Sequence, residues 1–251
     1  MLIRFIGIPL VVLMGITIYD WQRGRRLPCQ FRTIYPWGAL LSHVAIALIY
    51  TTPWDNYLIA NRVWWYDPTL VTGITLGWVP IEEYTFFAAQ TLMTGLWLLF
   101  WMRRQPPAAN PPPLRGKLRW ISAGSASVLW GAWTIVLLTG WTRGLYMALI
   151  LVWALPPIIV QLTFGADILW RYGRLVLTAL LPPFLYLCFV DSLAINSGTW
   201  TINPDNTLGL YLGGILPLEE AIFFLVTNVL IIFGIVLILA KKSHYRLKLR
   251  R

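Results

Sequence analysis

The sequence predicts an all-helical integral membrane protein with seven transmembrane helices. Of its 251 residues, 58% are apolar and 12% are charged, and the mean hydropathy is +0.65. This composition leaves too little polar surface to cover a water-soluble domain of this size. A bilayer core requires about 20 mostly apolar residues per helix, and seven runs have about that length. The runs lie near residues 2–19, 36–53, 78–101, 120–139, 143–164, 175–196 and 214–240.

The first run predicts a retained helix, because the cluster of Arg23, Arg25 and Arg26 follows the apolar stretch, unlike in a secretory signal. The fourth and fifth runs are separated only by residues 140–142. The Pro- and Ala-rich residues 105–113 predict a flexible cytoplasmic connection. The predicted units are therefore residues 1–104, a connection with one helix over 105–142, residues 143–240, and a basic cytoplasmic tail over 241–251.

The basic residues predict the orientation. Seventeen of the 20 Lys and Arg residues follow the first, third and fifth runs or lie in the tail, whereas Arg4, Arg62 and Arg143 lie on the other side. The positive-inside rule therefore predicts an outer N-terminus and a cytoplasmic C-terminus in the plasma membrane. Basic clusters beside a membrane usually lie against anionic lipid, so the predicted partner of the tail is membrane lipid and not nucleic acid.

An internal duplication is the most informative feature. Asp55 is followed nine residues later by Trp64, and Asp191 is followed nine residues later by Trp200. A Pro-x-Glu-Glu-x-x-Phe-Phe motif comes next in each half, at residues 80–87 and 217–224. The distance from Asp to the first Glu is 27 residues in one half and 28 in the other. This agreement is hard to obtain by chance in a chain with ten acids.

The duplicated unit is predicted to contain three helices. Pro9 in the first run corresponds to Pro156 and Pro157 in the fifth, and each precedes a cluster of Asp and Arg. The first and fifth runs are an even number of crossings apart, so the two three-helix repeats are parallel and the fourth run connects them. Both acidic motifs then lie at the outer side.

The acids in these motifs are the candidate catalytic residues. Eight of the ten acids lie in or beside the outer connections. Helix capping explains one acid per helix, but not a Glu pair in both halves with an Asp at matched spacing. Because Phe86 follows Glu82 by four residues, as Phe223 follows Glu219, we expect Glu82 and Glu219 to face the bundle. The catalytic candidates are Asp55, Glu82, Glu83, Asp191, Glu219 and Glu220.

Aromatic residues accompany these acids and are the candidate substrate contacts: Trp54, Trp64, Trp65, Tyr66, Tyr84, Phe86, Phe87, Trp200, Phe223 and Phe224. The set has no His, Cys or Lys, which argues against a transition metal and against covalent catalysis by an amine or thiol. Desolvation and neighbouring carboxylates can keep one carboxyl group protonated while another is ionised. The pattern therefore predicts proton transfer beside an apolar substrate, without a metal.

Four motifs resemble the membrane-embedded carotenoid lycopene cyclase family, which occurs as split bacterial heterodimers, as single chains and fused to phytoene synthase in fungi. They are Thr-Pro-Trp-Asp-Asn at 52–56, Val-Trp-Trp-Tyr at 63–66, Pro-Ile-Glu-Glu-Tyr at 80–84 and Leu-Pro-Leu-Glu-Glu at 216–220. The resemblance implies cofactor-independent cyclisation of lycopene to β-carotene through γ-carotene. It also implies a lipophilic carotenoid substrate and contact with other enzymes of that pathway.

The same pattern is compatible with other functions. An ε-cyclase, a cyclase of C50 carotenoids or a hydratase would use the same architecture, and a proton-coupled transporter could also be built from such repeats. A retinal-binding photoreceptor requires a Lys in the last helix, and residues 214–240 contain none. The chain has no Gly-x-Gly-x-x-Gly turn after a strand, so we expect no tightly bound flavin or nicotinamide.

Overall fold

The computed structural model describes residues 3–106 and 116–248, and its main elements are helices. Most of the predicted Pro-rich connection (107–113) and the end of the basic tail (249–251) lie outside the described residues. A π-helical turn, Ile3–Gly7, leads into the first α-helix. The helices are α1 (Ile8–Gln22), α2 (Pro36–Ala60), α3 (Ile81–Arg103), α4 (Gly116–Thr139), α5 (Leu145–Arg171), α6 (Gly173–Asn196), α7 (Leu218–Leu239) and α8 (Lys241–Lys248). The strands are β1 (Trp64–Tyr66), β2 (Thr75–Leu76), β3 (Val79–Pro80), β4 (Trp200–Ile202), β5 (Tyr211–Leu212) and β6 (Leu216–Pro217).

In the described part of the chain, six helices are long and apolar enough to cross a membrane: α1 and α3 to α7. Helix α2 has 25 residues and is not one of these six, and polar side chains and Pro53 interrupt its second half. It also continues through Pro53 to Ala60, seven residues beyond the predicted end at residue 53. This extension brings Asp55 onto a helix.

Glycines explain two other differences from the predicted boundaries. Helix α7 begins at Leu218 and not near residue 214, because Gly213 and Gly214 have positive φ angles (+59° and +74°) and form the turn between β5 and β6. Helix α5 extends to Arg171, but the predicted end at residue 164 coincides with a kink at Gly165. The patterns therefore located the helices, and the errors are at their ends.

Helices α3 and α7 form the centre of the bundle. Helices α2 and α6 pack on both central helices, α1 packs on α3, α5 packs on α7, and α4 packs on α5 with most of its surface exposed. Polar bonds also join the two central helices: Gln90 Nε2 donates to Thr227 Oγ1 (2.9 Å) and Thr94 Oγ1 donates to Asn228 Oδ1 (2.5 Å). The elements that carry the Glu pairs are thus held directly against each other.

Short strands close one end of the bundle. Strands β1 and β4 are antiparallel, with Trp64 opposite Ile202 and Tyr66 opposite Trp200. The β2–β3 and β5–β6 hairpins lead into α3 and α7. Both acidic motifs therefore lie at the same end of the molecule.

Ion pairs join the helices at the opposite end. The fully buried Asp20 pairs with Arg104 (2.8 Å), Arg25 (3.3 Å) and Arg103 (3.7 Å), which fixes the end of α1 to the end of α3. In the other half, Asp167 pairs with Arg246 (2.6 Å) and connects α5 to α8. A carboxylate buried at such a site needs these partners, because an isolated buried charge is strongly destabilising.

Candidate functional site

The candidate site is a cavity of about 50 Å³ beneath the β1–β4 strands. Its lining includes Asp55, Glu83, Asp191 and Glu220, which we call the carboxyl cluster. Asp55 and Asp191 each lie five residues before the ends of α2 and α6, and the two Glu residues come from the first turns of α3 and α7. The structure therefore brings together one Asp and one Glu from each half of the sequence.

The two Asp residues have matching environments. After α2 and α6 the chain reverses direction at Arg62 (φ +56°) and Gly198 (φ +73°), and it returns along β1 and β4. This geometry explains the spacing of nine residues between each Asp and its Trp. Trp64 Nε1 donates to Asp55 Oδ1 and Trp200 Nε1 donates to Asp191 Oδ1, both at 2.9 Å.

The second oxygen of each Asp differs from the first. Both Oδ2 atoms are buried, and no described residue offers either of them a hydrogen-bond partner. A buried polar atom without a partner is costly and needs an explanation. Its position in the lining of the cavity suits contact with a bound molecule or with a proton.

The second Glu of each pair faces the cavity, and the two halves differ here. Tyr146, which is 3% exposed at the start of α5, donates its hydroxyl hydrogen bond to Glu220 Oε1 at 2.6 Å. No hydrogen bond to the Glu83 carboxyl group is present among the described residues, although Asp55 and Glu220 are close enough to interact with it electrostatically. Sequence reasoning missed Tyr146, because a Tyr near the end of a membrane helix is also typical of an interfacial residue.

Glu82 and Glu219, the members of each pair predicted to face the bundle, do not line the cavity of the carboxyl cluster: Glu82 lines a larger adjoining chamber, and Glu219 is fully buried. Glu82 Oε1 accepts a hydrogen bond from the backbone N–H of Thr72 (2.6 Å), and Glu219 Oε1 accepts one from Leu208 N–H (2.7 Å). The preceding connection folds over this face of each helix and offers its backbone donors there. The first Glu therefore fastens the connection, and the second Glu, about 100° further around the helix, reaches the cavity.

Two further acids near the outer connections lie away from the cluster. Asp67 is exposed, and hydrogen bonds from the backbone N–H and the hydroxyl of Thr69 hold its pKa below the usual value. Asp205 belongs to a short 3-10 turn, where its N–H bonds to Asn203 Oδ1. The Asp67 carboxylate thus stabilises a local turn, and Asp205 is part of another.

Most of the aromatic candidates surround the carboxyl cluster. Those lining the cavity are Trp54, Trp64, Phe86, Phe87, Trp200, Phe223 and Phe224. Tyr66 lines a larger chamber of about 390 Å³ that adjoins the cluster. Trp65 alternates to the other face of β1, and the Tyr84 hydroxyl donates to Leu76 O (2.8 Å), where it holds the β2–β3 hairpin. The structure thus places Trp65 and Tyr84 away from the lining, as far as described residues form it.

The arrangement is suited to acid–base chemistry on an apolar molecule. Four carboxyl groups in one small cavity with an apolar wall cannot all carry a negative charge, so the cluster as a whole retains protons. Aromatic faces attract a nearby cation, and they also exclude water. In the described residues there is no group of three or more His, Cys, Asp or Glu side chains arranged to hold a metal ion.

Fold and site together define a helical membrane protein with a buried site of carboxyl and aromatic groups. The chain belongs to the lycopene cyclase family, whose model matches residues 29–101 and 143–241. The matched residues contain the whole carboxyl cluster and Tyr146, and all of α4 lies between the two matched ranges. The family resemblance inferred from the sequence motifs is confirmed.

Similar proteins agree with this assignment. A lycopene beta-cyclase of Halobacterium salinarum is 40% identical over 232 residues, which cover 92% of this chain and 91% of the relative. Bifunctional lycopene cyclase/phytoene synthases of Aspergillus niger and Colletotrichum graminicola are 38% and 43% identical, over 77% and 76% of this chain. The matches cover 33% and 34% of these two fungal proteins. No solved structure matches the chain.

Proposed function

We propose that this protein is a lycopene β-cyclase that converts lycopene to β-carotene through γ-carotene within the membrane. The observation that carries the proposal is the cluster of four carboxyl groups inside an aromatic cavity at one end of an apolar helical bundle. The substrate is a hydrocarbon dissolved in lipid, and the reaction requires a proton donor and a proton acceptor in a dry site. The names of the relatives support the same activity.

Each ring forms by one protonation and one deprotonation. A carboxylic acid adds a proton to C2 of the terminal C1=C2 bond, which leaves a tertiary cation at C1. The electrons of the C5=C6 bond form the C1–C6 bond, and the positive charge moves to C5. A carboxylate then removes the proton from C6, and the C5=C6 double bond of the β-ring is restored. Substrate and product are isomers, so the reaction is an intramolecular lyase-type isomerisation without net oxidation or reduction.

The hydrogen bonds around the cluster suggest the roles of its members. A hydrogen bond donated to a carboxylate favours the ionised form, and Glu220 receives one from Tyr146. We therefore assign the base to Glu220 and the acid to Glu83, which receives none from the described residues. Asp55 and Asp191 each hold an indole N–H on one oxygen, and their free Oδ2 atoms can stabilise the passing cation.

The aromatic walls have two functions in this mechanism. Water would capture the cation as a tertiary alcohol, and the apolar rings of Phe86, Phe87, Phe223 and Phe224 in the cavity lining exclude it. The ring faces also provide negative electrostatic potential for the cation at C1 and then at C5. These contacts would favour the folded conformation of the substrate end over its extended conformation.

We also propose that the protein spans the plasma membrane seven times, with an outer N-terminus and a cytoplasmic C-terminus. Helix α2 would be the additional span, since 25 residues extend about 38 Å. Repeated contacts support two parallel three-helix repeats, α1–α3 and α5–α7, with α4 as connector. The Trp–Asp bonds, the Glu bonds to the connections and Asp–Arg pairs each occur in both halves. A C-terminal reporter that is active only in the cytoplasm tests the orientation.

Pigment analysis tests the catalytic proposal. The chain is expressed in cells that accumulate lycopene, together with Glu83→Gln and Glu220→Gln variants, and the pigments are separated by chromatography. The wild type is expected to form bicyclic β-carotene. General acid or base catalysis contributes roughly 100- to 10,000-fold, so each variant should lose at least about 100-fold in conversion.

Glu219→Gln is the matched control, one residue before Glu220 on the same helix. Its amide oxygen can still accept the bond from the Leu208 N–H, so it should lose much less conversion. Products with ε-rings would indicate loss of the proton from C4 and would replace the β-cyclase assignment. Unchanged lycopene with stably folded wild-type protein would contradict the proposal.

A further inference from the structure

The two halves of the molecule differ beside the carboxyl cluster. On the α2–α5–α7 side, three rings stack: Trp54 lies 4.6 Å from Trp153 and 5.6 Å from Phe223 between ring centroids, with interplanar angles of 17° and 9°. Trp54 Nε1 also donates to Leu149 O (3.1 Å), which fixes the indole in this position. The stack fills the space between these helices next to the cluster.

The equivalent space in the other half is open. Val190 precedes Asp191 as Trp54 precedes Asp55, and Ile6 lies three residues before Pro9 as Trp153 lies three before Pro156. Phe86 corresponds to Phe223 in the duplicated motif. All three counterparts, Val190, Ile6 and Phe86, line the chamber of about 390 Å³, whose wall also includes Glu83 and Asp191. We call this space the lateral chamber.

The elements that form the lateral chamber also form an apolar groove. Further along α1, α3 and α6 there is an open groove of about 350 Å³, lined by residues that include Pro9, Leu13, Met93, Trp97 and Pro183. Its polar hydroxyl, on Tyr186, is already bonded to Phe5 O (2.5 Å). From Glu83 to Trp97, α3 rises about 21 Å. Chamber and groove together therefore follow the side of the bundle from the carboxyl cluster toward the opposite end.

The α2–α5–α7 side has a cavity of a different kind. Its volume is about 200 Å³, and its lining includes His43, Gln90 and Gln161. Gln161 Oε1 is buried there without a hydrogen-bond partner among the described residues, and a hydrocarbon could not supply one, whereas it would bury apolar surface in the groove between α1 and α6. Shape and chemistry both favour the α1–α3–α6 side for an isoprenoid chain.

We propose that the linear carotenoid binds on the α1–α3–α6 side, with its reacting end in the lateral chamber and its polyene chain in the groove. This inference rests on the proposed cyclase function. It implies that the enzyme has one active site, which the substrate reaches from one side of the bundle. The Trp54–Trp153 stack closes the equivalent side. The two ends of the substrate react in turn, and the half-cyclised intermediate leaves and binds again in the reverse direction.

Filling the lateral chamber and the groove with separate substitutions tests this proposal. Val190→Trp places an indole in the lateral chamber, and Leu13→Trp fills the groove far from the carboxyl groups. Val11→Trp, at a position 69% exposed on the same helix, is the matched control. Conversion is measured with purified protein in lycopene-containing liposomes. We expect Val190→Trp and Leu13→Trp to lose at least tenfold in kcat/KM, mainly through KM for Leu13→Trp, and Val11→Trp to match the wild type.

A measurement of lycopene binding distinguishes a blocked binding site from a variant that fails to fold. Lycopene affinity is measured in the unreactive Glu83→Gln background. Each variant must elute as a single folded species. If Val190→Trp does not fold, the result for Leu13→Trp tests the proposal. Folded groove variants with wild-type affinity and rate would overturn the proposal while wild-type cyclisation stands. Loss of co-purified phospholipid with unchanged lycopene affinity would also overturn it, because the groove would then hold a lipid chain. A wild type that does not cyclise lycopene would instead contradict the proposed function.

Discussion

Replacing Tyr146 by Phe removes one hydroxyl group and tests whether this residue positions the base. In the structure the hydroxyl donates to Glu220 Oε1 at 2.6 Å inside the cavity, and Tyr146 is 3% exposed, so water cannot easily replace it. A hydrogen bond to a charged group contributes roughly 1.5–3 kcal/mol. At about 1.4 kcal/mol per factor of ten, we expect kcat to fall about 10- to 150-fold.

The assay is steady-state cyclisation of lycopene in liposomes by purified protein. The hydroxyl bonds to a carboxyl group and not to the substrate, so KM should change little while kcat falls. Tyr50→Phe is the control, because it removes the same atom from a bond to a backbone carbonyl, Trp153 O (2.9 Å). A Tyr146→Phe variant with the wild-type kcat would refute the positioning role. Equal losses in both variants would show a general structural effect.

Two other predictions concern the chemistry and the frame of the site. In D₂O, the product should gain one deuterium per ring, bound at C2, which mass spectrometry of the pigments detects; product without deuterium would exclude proton-initiated cyclisation. Gly77→Ala should lower stability by roughly 1–3 kcal/mol, because Gly77 has a φ of +71° and an added Cβ would lie 2.2 Å from Asn56 Oδ1. Gly213→Ala, at the equivalent turn with φ +59° and open space around it, should cost less, and heat-inactivation midpoints that are equal for both would contradict this explanation.

The sequence was sufficient to find the helices and the acids, because both depend on local pattern. Apolar runs of helix length predicted the helices with errors mostly at their ends, and the matched Asp, Trp and Pro-x-Glu-Glu spacing predicted that the acids act together. The structure places Asp55 and Asp191 in one cavity with one Glu from each pair. Repetition in the sequence was therefore a better guide than any single motif.

The orientation of the Glu pairs could not be read from helical periodicity. Periodicity specifies that two neighbouring residues point about 100° apart, but not which of them faces the interior. That choice depends on residues 72 and 208, whose backbone N–H groups bind Glu82 and Glu219 from the preceding connections. A contact to a backbone group in an irregular segment has no side-chain signature, so the sequence could not indicate it.

Contacts between distant elements were also outside the reach of sequence patterns. Tyr146 and Glu220 are separated by 74 residues, and Trp54 and Trp153 lie on α2 and α5. Each of these residues alone is an ordinary aromatic residue of a membrane helix. The comparison of equivalent positions could have shown that Trp54 and Trp153 correspond to Val190 and Ile6, but it gives no information on whether the difference fills or opens a space.

These departures from the repeat are what the proposed chemistry requires. Duplication alone would give the two halves equivalent carboxyl groups, as it does for Asp55 and Asp191 with their indole partners. Cyclisation needs unequal groups, because one must release a proton to the substrate and another must accept one within the same site. The bond from Tyr146 distinguishes Glu220 from Glu83, and the Trp54–Trp153 stack fills a space whose counterpart beside Glu83 is the open lateral chamber. On this argument the substrate end reaches the donor first, and the base lies across the cavity on the closed side, where the ring loses its proton.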